Sequence, residues 1–109
     1  MSASEPANNL LALPENLTVR TTNDVKEILL HALDTHATVN LDIPAQATID
    51  LSFIQIVEAA RLYADKCKKL LSLHRAADGA LLTVLNRGGI VEGMDLNDKQ
   101  FWLHQGETQ

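Results

Sequence analysis

A chain of 109 residues, 46% hydrophobic and 21% charged, has room for one domain built on one core and is not the composition of a disordered or low-complexity protein. No apolar run approaches the roughly 20 residues of a membrane-spanning helix. A net charge of −5 with 4% aromatic residues argues against nucleic acid as a partner, because phosphates call for lysine and arginine and unstacked bases call for rings.

Residues 1–9 are small and polar without periodicity, and predict a flexible N-terminal tail before a single domain over 10–109. They lack the basic start and apolar stretch of a secretory signal. A single cysteine, Cys67, leaves no internal disulfide and suits a reducing, cytoplasmic compartment. The apolar run from Leu10 to Leu13 reads as a strand entering a turn at Pro14. Val25, Ile28, Leu29, Ala32 and Leu33 then form one stripe at helical spacing and predict a helix over 23–34, with Thr21 and Asp24 resembling a capping pair. Between Thr38 and Ile43 apolar and polar residues alternate, which predicts a strand stopped by Pro44.

A loop over 45–49 leads to a second helix over 51–68, whose expected stripe is Phe53, Ile56, Val57, Ala60, Tyr63, Ala64 and Cys67. Cys67 is therefore expected to be buried and inert, and Lys66, Lys68 and Lys69 to favour the carbonyl end of the helix. Residues 70–74 read as a short buried strand. A third helix is expected over 76–86, with Ala77, Leu81, Val84 and Leu85 inward and Gly88-Gly89 ending it. Phe101-Trp102-Leu103 suits either a cover for a sheet edge or a last short strand. Strands alternating with helices predict an α/β fold, a small open and mostly parallel sheet with helices packed on it.

Candidates for chemistry are few. His31, His36, His74 and His104 have no metal-site spacing, and no nucleophile, base and orienting residue fall together, so neither an enzyme nor a metal or cofactor is expected. One position stands out, the start of the second helix at Asp50, Ser52 and Gln55. Ser52 and Gln55 have the spacing of a capping box, which accounts for both as structural residues. A serine in a helical first turn is also a favourable place for a phosphate.

The same segment resembles the STAS domains, which include the anti-sigma factor antagonists. That family shows a strand like Leu-Asp-Leu, then Ile-Asp-Ser-Ser-Gly-Leu opening a helix that continues Gln-Leu-Leu-x-Ala-Ala. Here the residues are Leu41-Asp42-Ile43, then Ile49-Asp50-Leu51-Ser52-Phe53-Ile54, then Gln55-Ile56-Val57-Glu58-Ala59-Ala60. Looser similarity extends over about residues 10–91. Leu51 stands where the family has its first serine, Phe53 where it has glycine, and the opening strand region is shorter.

The resemblance implies a non-enzymatic module that binds a protein partner, an anti-sigma or signalling kinase, and is switched by phosphorylation of Ser52. It places the partner contact at Asp50, Ser52, Phe53 and Gln55. The alternative it implies is a structural subunit bracing a membrane-transport ATPase. There Ser52 is only a cap, and Phe53 or the Phe101–Trp102 pair anchors the transporter.

Overall fold

The computed structural model describes residues 10–105, and the expected tail over 1–9 lies outside them. The chain is an α/β fold. Its elements are β1 (Leu10–Ala12), β2 (Asn16–Leu17), a 3-10 turn (Val19–Thr21), α1 (Thr22–Thr35), β3 (Thr38–Asp42) and β4 (Thr48–Ile49). After these come α2 (Leu51–Lys66), β5 (Leu70–Leu73), α3 (Gly79–Arg87) and α4 (Leu96–Leu103). No helix among the described residues is long and apolar enough to cross a membrane.

The main sheet has the order β1-β3-β5 and is parallel throughout, with Leu11 beside Leu41 and Leu41 beside Leu73. Central β3 buries Val39 and Leu41 and leaves Thr38, Asn40 and Asp42 half-buried, as its alternation predicts. A smaller parallel pair, β2 with β4, lies outside the expected elements. Two prolines account for the break between the two ladders. Ala12 pairs with Asp42, and two residues later the strands meet Pro14 and Pro44, neither of which has an N–H to donate. A turn closed by Ala47 N–H to the Pro44 carbonyl (3.1 Å) inserts two residues, and the offset between partners rises from 30 to 32.

Helix α1 runs one residue beyond each expected end and buries Val25, Leu29, Ala32 and Leu33. Its N-cap Thr21 makes no side-chain cap bond, so the expected Thr21–Asp24 cap does not form. The capping box sits one step earlier, where Thr18 and Thr21 close the 3-10 turn on each other. Helix α2 buries Phe53, Ile54, Val57, Ala60 and Ala64, a stripe rotated toward Ile54 and away from Ile56, which is half-buried.

Helix α2 ends at Lys66, short of the expected Lys68, and Cys67 is exposed rather than buried. The cause is a Schellman turn. Lys68 N–H bonds the Asp65 carbonyl (3.2 Å), Lys69 N–H bonds the Ala64 carbonyl (2.7 Å), and Lys68 takes a left-handed φ of 60°. Cys67 sits at the C-cap, where the helical stripe has already run out.

Helix α3 ends in the same way, with Gly89 at φ 71° and Ile90 N–H bonding the Leu85 carbonyl (3.0 Å). Its start is later than expected, at Gly79. Ala77 instead donates its N–H to the Trp102 carbonyl (2.7 Å), which holds residues 76–78 out of the helix. The region of Phe101-Trp102-Leu103 is the helix α4 and not a strand. It covers β5, as one of the two expectations had it.

Candidate functional site

The start of α2 is organised by Asp50, not by Ser52. Asp50 is the N-cap, in extended backbone, and its Oδ1 accepts from Ser52 N–H at 3.0 Å. The Ser52 hydroxyl donates to the same oxygen. Oδ2 accepts from Val19 N–H at 3.0 Å, across 31 residues of sequence. One carboxylate thus holds the first turn of α2 and the 3-10 turn that introduces α1. The Ser52 hydroxyl holds Asp50's carboxyl below its ordinary pKa; burial opposes this, and the backbone N–H groups of Val19, Ser52 and Phe53 add to the lowering. The expected Ser52–Gln55 capping box does not form, because the cap position is taken by the residue two places earlier.

Of the expected contact residues, Asp50 and Ser52 are half-buried and adjacent, and Gln55 is exposed one turn on. Phe53 is 2% exposed and packs in the core, so it presents no surface to a partner. The aromatic anchors of the transporter alternative fail on the same ground. Phe101 is 8% exposed, and Trp102 is fully buried.

Ser52 and Gln55 border an open trough between α1 and α2, about 340 Å³ in volume. Beyond its far end Tyr63 O–H donates to Asp34 Oδ1 at 2.5 Å and ties the two helices together. That bond pushes the Tyr63 phenol up to about 12, since ionising it would give up the proton shared with Asp34 and set two anions side by side.

A polar cluster that sequence reasoning missed lies on the other side of α2. Arg61 Nη1 pairs with Glu58 (2.9 Å) and Asp98 (3.0 Å), its guanidinium lies 4.5 Å from the centre of the Phe101 ring, and Trp102 Nε1–H donates to Glu58 Oε2 at 2.7 Å. The signal available for it is Asp95 and Asp98, spaced as a capping box just before Phe101-Trp102; Asp98 N–H bonds Asp95 Oδ1 at 2.8 Å.

The four histidines are all exposed and stand apart. His104 Nε2 lies 3.0 Å from the Leu73 carbonyl at the edge of β5, and His74, the residue after β5, has Nδ1 3.4 Å from Asn40 Nδ2. At the C-terminal ends of the strands, where open α/β sheets commonly hold small ligands, the crevice among Leu41, Ile43, Arg75 and Leu81 has only about 20 Å³ of free space. A nucleotide does not fit there.

Protein-family models, curated proteins and solved structures each give no match to this chain, so the likeness to STAS domains rests on the residues from Leu41 to Ala60 and their looser flanks alone.

Proposed function

We propose that this chain is a non-enzymatic regulatory module that binds a signalling partner, such as an anti-sigma kinase, through the surface around Asp50, Ser52 and Gln55. Phosphorylation of Ser52 releases that partner. The observation that carries the reading is the bond from the Ser52 hydroxyl to Asp50, the same carboxylate that holds Val19 N–H.

Adding a phosphate to Ser52 Oγ removes the proton donated to Asp50 and sets close to two negative charges beside that carboxylate. Repulsion then acts on the group that restrains both the start of α2 and the turn before α1. One modification changes the charge of the patch and loosens its backbone together. The family resemblance supports the same position, since Ser52 aligns with the serine on which its sigma-regulating members are phosphorylated by a partner kinase.

The test is affinity purification from the native host with intact-mass analysis, followed by Ser52→Asp and Ser52→Ala variants. The expected result is a kinase-like partner, an added phosphate mapping to Ser52, and loss of the partner in Ser52→Asp but not in Ser52→Ala. An unmodified Ser52, with partner binding indifferent to Ser52→Asp, overturns the reading.

A further inference from the structure

The trough between α1 and α2 is lined by residues 22–30 of one helix and 52–60 of the other, so each wall is about 12 Å long at 1.5 Å per residue. Its floor is apolar and buried, at Leu29 and Ala60. Leu30, Ile56 and Ala59 rise above the floor. Lys26 is the one charged residue that lines it, and this lysine takes part in no ion pair among the described residues. Asp24 and Glu27, its acidic neighbours on α1, do not line the trough, and the Asp50 carboxylate is committed to Val19 and Ser52. On a chain of net charge −5, this is an apolar strip whose own charge is positive.

We infer that the trough takes a short amphipathic helix of the partner protein, apolar on its buried side and carrying a carboxylate that pairs with Lys26. The inference rests on the interaction-module reading and supplies the partner chemistry that reading leaves open. Both walls are helices whose backbone is already hydrogen-bonded, so the trough offers no free strand edge to an extended peptide. A helix laid between two helices can pack its side-chain ridges into the space they leave. Two turns fill the length of the wall, which calls for apolar residues at i, i+3 or i+4, and i+7. Ser52 stands at one end of the same trough, so a phosphate there repels the acidic segment that Lys26 attracts.

The test is selection of fully randomised displayed peptides of about 12 residues, some three helical turns, against the whole chain. Enriched peptides are expected to show the i, i+3/i+4, i+7 apolar pattern with aspartate or glutamate. Lys26→Glu should weaken them about tenfold and, on reselection, exchange the acidic residue for a basic one while keeping the apolar pattern. Ala59→Arg should abolish binding by filling the trough. Leu62→Arg, at an exposed position of α2 outside the trough, should leave binding unchanged. Enrichment of peptides without acidic residues, binding that survives Ala59→Arg, or no enrichment at all overturns the inference.

The outcomes separate from those of the regulatory reading. A host partner released by Ser52→Asp but unaffected by Ala59→Arg keeps the module and removes the trough. Acidic peptides held in the trough, together with a host protein never modified at Ser52, do the reverse.

Discussion

Asp50 does more at the start of α2 than the serine two residues on. It accepts from two backbone N–H groups in different elements as well as from the Ser52 hydroxyl. Asp50→Ala is therefore expected to lower stability by about 1–2 kcal/mol in urea unfolding, at the upper end for a lost cap. The effect has a definite pH sense. Asp50's carboxyl is held below its ordinary value, so its contribution is complete above the unfolded value of about 3.9 and is lost as pH falls through the lower folded value. The stability gap between the wild type and Asp50→Asn should be constant at neutral pH and narrow only in acid.

Tyr63 runs the other way. Its phenol is raised to about 12, so the bond to Asp34 contributes fully below the ordinary phenol value of about 10 and is lost as pH rises through about 12. Because the chain has one tyrosine, an absorbance titration reads it directly. Asp34→Asn should bring the midpoint back toward the ordinary value, and an unchanged midpoint would show that this bond does not form in solution.

Among the elements, legibility in the sequence follows periodicity. Val25, Leu29, Ala32 and Leu33 keep helical spacing for more than two turns, and Val39 and Leu41 alternate cleanly, so α1 and β3 are readable within a residue or so. A two-residue strand has no period, and β2 and β4 are defined only by each other. Phe101, Trp102 and Leu103 are consecutive, which gives no helical stripe. Only two of the eight residues of α4 are buried, and a capping box and an ion pair fix that helix where a periodic face does not. The turn after α2 was equally hidden, since a lysine in left-handed backbone is not a turn signal. Replacing Lys68 with glycine removes that steric cost. It should raise stability by about 0.5–1 kcal/mol, whereas Lys68→Ala should give no such gain.

At the scale of the whole molecule, two sides of α2 hold the fold together. One side meets α1, and the other meets α4 through Glu58 and Arg61. Glu58→Ala leaves the N–H of the fully buried Trp102 without its partner, while Arg61 keeps Asp98. The expected cost is about 1–3 kcal/mol, with a change in Trp102 emission. An unaltered spectrum and melting curve would show that the bond contributes nothing.

The candidate site divides in the same way. Ser52 and Asp50 were legible as a position because cap chemistry is local, although the cap was expected from Ser52 with Gln55 and Asp50 supplies it. The trough was not legible. Lys26 and Ala59 come together only when two helices 15 residues apart pack on one sheet.

The chain carries one tyrosine and one tryptophan, and α2 supplies one half of both their hydrogen bonds: Tyr63 reaches Asp34 on α1, and Glu58 receives Trp102 from α4. Nature has thus fitted one chromophore to each seam of the central helix. In a refolding experiment they act as two separate clocks, one timing the joining of α1 to α2 and the other the arrival of α4. If the last helix docks on an already formed body, the tryptophan trace will lag the tyrosine trace. Coincident traces would mean that both seams close in a single cooperative step.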